Sequence, residues 1–438
     1  MSIDLDYQRV LIIGASRSGR AAQHLLEGVA REVRIVDDGV DGDGSTLSTE
    51  EFLRRFSTDW PTLVVASPGI FPTHPLLRAR PDAISEVELA YRFAHQPIVG
   101  VTGTNGKTTV TLMIAEMLSQ AGLAAVACGN VGLPMSSVVG EAERLVVELS
   151  SFQLLRVDRF RAEIGVWTNF TADHLDYHGS LDAYRAAKQR LFSNQIAGDL
   201  AVLNADDPTV CNTPLGTGVT GKQFSLVDTS VYAHLHGDEL VLGDSVLGNR
   251  RALYRNLDHE IANLFAASIA AEGLGASSES IGSYVREYRG FAHRVEFVGR
   301  RGGVRFFNDS KATTPAAVEA CVRSLGKVVL LAGGRNKGLD LSVLAGLVDQ
   351  VEYLVGLGES GKEIVEAFVA AGLEPTLATT ASSMHEAVMV AFDAARRLLG
   401  TVPVVLSPGA TSFDWYPNYE ARGDAFRHEV EGLEVDND

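Results

Sequence analysis

The stretch "PIVGVTGTNGKTTVTLMIAEML", residues 97–118, decides the fold. Its apolar run over 98–101 reads as a buried strand, and Val110, Met113, Ile114, Met117 and Leu118 recur at helical spacing further on. Between them lies Gly103-Thr104-Asn105-Gly106-Lys107-Thr108-Thr109. A glycine-rich loop joining a strand to a helix is where backbone amides and the helix N-terminus can hold a phosphate. Lys107 would neutralise charge there, and a threonine hydroxyl would reach Mg²⁺. The loop is shorter than the common G-x-x-x-x-G-K-[ST] pattern, and a turn carrying a solvated lysine is the plain alternative.

A phosphate loop needs metal ligands and a reacting partner. Glu148 closes the apolar run 145–147 and leads into Ser150-Ser151, which places a hard-oxygen ligand at a strand's carboxyl end. The run 164–168 likewise ends in "NFTADHLD", bringing Asp173 and His174 to the same edge. The helix read over "SLDAYRAAKQRLF", capped by Ser180, puts Leu181, Tyr184 and Leu191 on one face, with Lys188 on that face too. A lysine among apolar groups ordinarily carries its ammonium out to water. One that stays buried favours the neutral amine, and a neutral amine can take up CO₂ to become a metal-binding carbamate.

Outward from the loop, strand-like runs alternate with helical patterns along all 438 residues, which predicts α/β architecture with parallel sheets in more than one domain. The first 95 residues open with "RVLIIGASRSGRAAQHLLEGVAREVRIVDD", a strand, a glycine turn, a helix and a second strand ending at Asp37. Ser16 stands at the middle glycine of G-x-G-x-x-G, which weakens a dinucleotide reading, while Asp37 lies where an acid holds a ribose hydroxyl. Short antiparallel strands are expected around 220–253, and "GFAHRVEFV" begins a last unit with "VVLLAGG", "VEYLVGLG" and "VPVVLSPG". "VVASPGI" (64–70) and "VVLSPGA" (404–410) both end an apolar run in Ser-Pro-Gly. A formal charge of −17 with no basic patch argues against nucleic acid. Apolar runs too short to span a membrane and no leader pattern at the N-terminus predict a cytoplasmic protein. Cys128, Cys211 and Cys321 are scattered without metal-type pairing and read as small buried side chains.

"GVTGTNGKTT", "GNVGLP", "VVELSSFQL", "TNFTADHLDYHGSLDAYRAAK", "NADD", "HRVEFV", "FNDSKATTPAA", "LLAGGRNKG" and "LSPGATSFD" occur in the order and spacing of the Mur ligases, which the chain resembles over essentially its whole length. The resemblance implies three domains: a Rossmann-like N-terminal domain (1–95) for a UDP-linked substrate, a P-loop-type central ATPase domain (96–290), and a Rossmann-like C-terminal domain (291–438) for the incoming amino acid. It implies ATP-dependent amide formation in peptidoglycan precursor synthesis, by a monomer. "NDSKATTPAA" and "SPGATSFD" point within the family to glutamate added to UDP-N-acetylmuramoyl-L-alanine. Members adding later residues, and folylpolyglutamate synthases, carry a "DYAHNP"-like stretch at the former place.

Carried onto this sequence, the resemblance gives the UDP-substrate to Arg17, Ser18, Asp37, Ser67, Pro68, Gly69 and Asn130. ATP falls to Gly103, Thr104, Asn105, Gly106, Lys107, Thr108 and Thr109, with Asn263, Arg294 and Asp309. It gives one Mg²⁺ to Thr108 and Glu148 and a second to His174 and a carbamylated Lys188. Lys107, Glu148, His174, Lys188 and Lys311 would be catalytic, and glutamate would meet Thr313, Lys337, Ser412 and Tyr419. Three positions depart from the family pattern: Glu260 follows His259 where asparagine is usual, Tyr419 stands where phenylalanine is common, and Tyr416-Pro417 replaces Phe-Lys. The last two would reshape the glutamate pocket.

Overall fold

The computed structural model describes residues 9–39, 46–130, 132–254, 256–398 and 402–433. The first eight residues, on which the expectation of no leader partly rests, lie outside the described residues. The chain divides into two compact units, Met1–Tyr288 and Arg289–Asp438.

The first unit contains two sheets. In one, β1 (Arg9–Ile13), β2 (Glu32–Val36), β3 (Thr46–Leu47), β4 (Leu63–Ala66) and β5 (Ile84–Ser85) lie in the order β3-β2-β1-β4-β5. All pairings are parallel. Apolar clusters cover both faces, one around Leu11, Ile13 and Phe52 and the other around Val10, Ile12 and Leu26. That explains why these strands read as continuous apolar runs. The order reverses between β1 and β4, and such a reversal opens a crevice at the carboxyl ends of the strands.

The other sheet runs β14-β13-β12-β11-β10-β9-β6-β8-β7. Its strands are β6 (Ile98–Thr102), β7 (Val126–Gly129), β8 (Leu145–Glu148), β9 (Ile164–Trp167), β10 (Leu200–Asn204), β11 (Thr220–Ser225), β12 (Ala233–His236), β13 (Glu239–Leu242) and β14 (Ser245–Asn249). β6 sits at the reversal, flanked in parallel by β8 and β9. The expectation of antiparallel strands over 220–253 holds for β12–β13 and β13–β14 only, since β11 pairs in parallel with both β10 and β12. Side-chain alternation reports which face a residue takes and says nothing of the neighbouring strand's direction.

The second unit has one six-stranded sheet in the order β15-β16-β20-β17-β18-β19. It comprises β15 (Glu296–Arg301), β16 (Val304–Asn308), β17 (Val328–Gly333), β18 (Val351–Leu357), β19 (Ala378–Ala381) and β20 (Val404–Leu406). Only β15–β16 is antiparallel. The last strand to form in sequence, β20, inserts between β16 and β17, so three segments emerge side by side at one edge. Among the described residues no helix is long and apolar enough to cross a membrane. Cys128 and Cys321 are buried as expected, whereas Cys211 is partly exposed.

Candidate active site

All five residues of β6 are buried, and the chain leaves the strand into the loop at Gly103. Gly103 has φ +155°, and a Cβ there would lie 2.0 Å from Thr168 Oγ1; Gly106 has φ +79°, and a Cβ there would lie 2.6 Å from Asn263 Oδ1. Glycine is thus required at both positions, by backbone conformation and by close approach. Gly106 caps the helix Lys107–Gln120, whose residues Val110, Met113, Ile114, Met117 and Leu118 are buried as the spacing predicts. Thr108 and Thr109 are half-buried in its first turn.

The segment after β9 clasps the loop. Asn105 N donates to Asn169 Oδ1 at 2.9 Å, Asn169 Nδ2 returns to Asn105 O at 3.1 Å, and Thr168 Oγ1 donates to the same carbonyl at 2.7 Å. Thr104 Oγ1 accepts from Thr171 N at 3.0 Å. Lys107 curls back over its own loop, donating from Nζ to Gly103 O at 3.0 Å and Thr104 O at 2.8 Å. Burial pushes its pKa down, while the charges of Glu148 and Asp173 oppose that shift.

Glu148 ends β8 beside the loop and is 2% exposed. Its Oε1 accepts from Asn130 Nδ2 at 2.8 Å, and its Oε2 has no hydrogen-bond partner. A buried carboxylate oxygen left bare is costly unless a cation or donor reaches it. This donor set therefore fits Mg²⁺, which takes one or two carboxylate oxygens, keeps several waters and leans on phosphate for the rest. Among the described residues no group of three or more His, Cys, Asp or Glu side chains is arranged to hold a metal ion by itself.

Lys188 does not carry its ammonium to water. It is 1% exposed, donates from Nζ to Gly103 O at 2.6 Å and lies 4.7 Å from the Tyr184 ring centroid. Burial first, and the Lys107 charge second, bring its pKa down to about 6, against the opposing charges of Asp173 and Glu148. The stripe predicted around it is only partly right: Tyr184 and Leu191 are buried, but Leu181, in the helix's first turn, is 44% exposed. Leu191 lies beyond the helix Leu181–Gln189, in a short 3₁₀ turn. His174 is exposed, held in the left-handed region at φ 51°, with Nε2 3.3 Å from Asp173 Oδ2 and its ring 4.8 Å from that of Phe152.

Asn263 sits on the long helix Asp258–Gly273, 8% exposed, facing the loop at Gly106. Glu260, at the departure from the family pattern, is buried on the same helix.

In the five-stranded sheet the segments after β1 and β4 meet: Ser67 N donates to Ile13 O at 2.9 Å and Ser67 Oγ to Gly14 O at 3.3 Å. Asp37 follows β2 and organises this crevice, with Oδ2 accepting from Ala15 N at 2.7 Å and Oδ1 from Gly39 N at 2.8 Å. Arg17 is exposed and Ser18 half-buried at the start of the helix Arg17–Leu25, while Pro68 is half-buried and Gly69 exposed across from them.

Within the second unit, Asp309 follows β16, 7% exposed, accepting from Ser407 Oγ at 2.8 Å and Val295 N at 3.2 Å. Burial raises its pKa to about 6. Arg294 lies between His293 and Val295, which both have positive φ. Lys311 N donates to His293 O at 3.1 Å, and its ammonium lies 5.4 Å from the Tyr419 ring. Ser412 is buried, Thr313 half-buried, and exposed Lys337 stands 4.9 Å from the Phe413 ring. Tyr416, at another departure, is half-buried against the core cluster of Phe306, Phe392 and Phe426.

Sequence reasoning passed over Arg422. Its guanidinium, 2% exposed, donates to Ser310 Oγ (2.9 Å), Ser310 O (2.8 Å) and Ala410 O (3.0 Å), tying the segments that carry Lys311 and Ser412 to the helix Tyr419–Glu431. It also passed over Asn169, and it did not anticipate that Asn130, assigned to substrate, also donates to Glu148. The two asparagines lie within quoted motifs, whereas Arg422 stands eight residues beyond the last of them.

A phosphate loop flanked by a bare carboxylate oxygen and a desolvated lysine, at the reversal point of a sheet where both flanking strands run parallel, is the setting of a phosphate-handling α/β enzyme. The chain belongs to the Mur ligase family: the Mur ligase middle domain matches residues 101–247, and the Mur ligase, glutamate ligase domain matches residues 293–407. It is 38% identical over 459 residues to the UDP-N-acetylmuramoylalanine–D-glutamate ligase of Pelotomaculum thermopropionicum, covering 98% of this chain and 99% of the relative. The enzyme of the same name from Aquifex aeolicus is 34% identical, with 97% and 98% covered. The fold is shared with UDP-N-acetylmuramate-alanine ligase MurC from Thermotoga maritima (TM-score 0.55, 21% identity, 97% and 98% covered) and with MurF from Acinetobacter baumannii (TM-score 0.57, 16% identity, 98% and 93% covered).

Proposed function

We propose that this chain joins D-glutamate to UDP-N-acetylmuramoyl-L-alanine with ATP, through an acyl phosphate, in peptidoglycan precursor synthesis. The observation that carries the reading is the convergence of Lys107, Lys188 and the unpaired Glu148 oxygen on one phosphate loop, in a chain whose full-length relatives bear that enzyme name.

Residues 1–95, 96–290 and 291–438 serve as UDP-substrate, ATP and amino-acid domains. Arg17, Ser18, Asp37, Ser67, Pro68, Gly69 and Asn130 hold the sugar nucleotide. Gly103 to Thr109 hold the ATP phosphates, and Asn263, Arg294 and Asp309 contact the nucleotide. Thr313, Lys337, Ser412 and Tyr419 receive glutamate.

A carboxylate is a poor electrophile, so its oxygen first attacks the γ-phosphorus; the bond from that phosphorus to the β–γ bridging oxygen breaks, ADP departs, and the resulting acyl phosphate carries a leaving group. Lys107 and Lys311 offset the crowded negative charge as the phosphoryl group moves. Thr108 and Glu148 would hold one Mg²⁺, and His174 with a carbamylated Lys188 a second, and the metal would add charge stabilisation when bound. Lys188 becomes that ligand when its neutral nitrogen bonds to the carbon of CO₂ and loses one proton; its burial favours the neutral form required. The glutamate nitrogen, also neutral, then attacks the acyl carbon and sheds a proton; His174 serves either as the base that takes it up or as the metal ligand above, not as both at once. Phosphate leaves and the amide remains.

Mass spectrometry of products from UDP-N-acetylmuramoyl-L-alanine, ATP, Mg²⁺ and either enantiomer of glutamate tests this. The reading requires ADP, phosphate and an amide formed with D-glutamate. Amide formation with L-glutamate alone, or no amide with either enantiomer, would replace it.

A further inference from the structure

The single helical turn Leu175–His178 has no buried residue and is bounded by left-handed residues, His174 at φ 51° and Gly179 at φ 76°. One turn cannot hold itself together, so its position is set by what its side chains grip. Tyr177 donates its hydroxyl to Ile70 O at 3.1 Å, and its ring lies 5.3 Å from that of Phe71. On the other side, Tyr177 packs 4.2 Å from the Phe152 ring and His178 stacks on it at 5.6 Å, with His178 Nε2 2.9 Å from Ser151 Oγ. Ile70 and Phe71 directly follow Ser67-Pro68-Gly69 after β4, whereas Ser151 and Phe152 come three and four residues after Glu148, the end of β8. The turn therefore joins the mouth of the five-stranded sheet to the metal-side edge of the nine-stranded one.

We propose that Tyr177 is a positioning residue that couples sugar-nucleotide binding at the 67–71 segment to the placement of His174 beside the phosphate loop. The inference rests on the functional reading above, in which those two places hold the UDP-linked substrate and the phosphate side of ATP. A ligand that settles the 67–71 segment fixes the acceptor of the Tyr177 hydroxyl. That biases the turn, and with it the backbone of His174 at the turn's start. Coupling of this kind is reciprocal: each ligand tightens the other by the same factor.

Calorimetry on the full chain reads the factor directly. The affinity for UDP-N-acetylmuramoyl-L-alanine is measured with and without a saturating, non-hydrolysable ATP analogue and Mg²⁺, in the wild type and in Tyr177→Phe, which keeps the ring on Phe152 and removes the hydroxyl. The wild type should show a factor of about five or more, falling towards one in the variant. A residue with a merely structural role would leave that factor alone. An unchanged factor in Tyr177→Phe, or a factor of one in the wild type, overturns the coupling. Phe71→Ala, which removes the ring on the exposed side of Tyr177, should lower the same factor, so a poorly folded Tyr177→Phe still leaves a decisive arm. A wild type that binds no sugar nucleotide would instead overturn the functional reading, and the coupling with it.

Discussion

Lys188 is the side chain on which the proposed chemistry turns. In the unfolded chain its amine titrates near the ordinary lysine value, and in the folded protein near 6. Between those values the unfolded state binds more protons, so this group makes stability rise with pH from about 6 upwards, and its penalty is present in full below that. Lys188→Met removes the penalty. In CO₂-free buffer the melting temperature of Lys188→Met should exceed that of the wild type by more at pH 7 than at pH 9.5; a gap independent of pH would mean that the ammonium is not desolvated. Lys188→Ala should lose nearly all ligase activity, and acetate or formate should restore part of it by placing a carboxylate where the carbamate would stand. Failure of both anions would remove the carbamate from the mechanism. The sequence predicted the anomaly, because a lysine four residues from Tyr184 had to lie on the apolar face. It could not tell snorkelling from burial, because that depends on Gly103 O lying 2.6 Å away across 85 residues of chain.

Most of the other candidate residues stand in or just after the loops at the strand ends, and they were readable to different degrees. The phosphate loop is local: strand, glycines, lysine and helix follow one another, and the glycine requirement at 103 and 106 emerges as expected. The crevice after β1, β2 and β4 is not local. Asp37 was read as a ligand-facing acid, yet both of its oxygens accept backbone amides that shape the crevice. Asp37→Ala should therefore weaken sugar-nucleotide binding by loosening the turn while leaving ATP affinity, measured without the sugar nucleotide present, within about two-fold. Calorimetry with the two ligands separates the effects, and weakened ATP binding would place the nucleotide in this sheet. Arg422 was invisible because its three acceptors lie 12 to 112 residues away. Arg422→Met leaves those acceptors without their charged donor, at a cost of about 3 kcal/mol. Denaturation should show a loss of that order, and the KM for glutamate should rise because Lys311 and Ser412 sit on the freed segments. An unchanged KM would confine Arg422 to stability.

Over the whole molecule, three sheets repeat one device. Each reverses its strand order beside the segment that carries its candidate residues: β1 against β4, β6 between β8 and β9, and β20 between β16 and β17. The α/β class and the run of motifs were readable from end to end because apolar runs and glycine turns are written locally. The parallel entry of β12 and the insertion of β20 were not, because strand order is decided by pairing between distant segments. What the three sheets are proposed to do together is activate a carboxylate as an acyl phosphate, and oxygen-18 follows that step atom by atom. With both oxygens of the alanyl carboxylate labelled, one bonds to the γ-phosphorus and departs with it, while the other stays in the amide. Each turnover should release inorganic phosphate carrying one labelled oxygen, and phosphate without label, formed alongside the amide product, would contradict the mechanism.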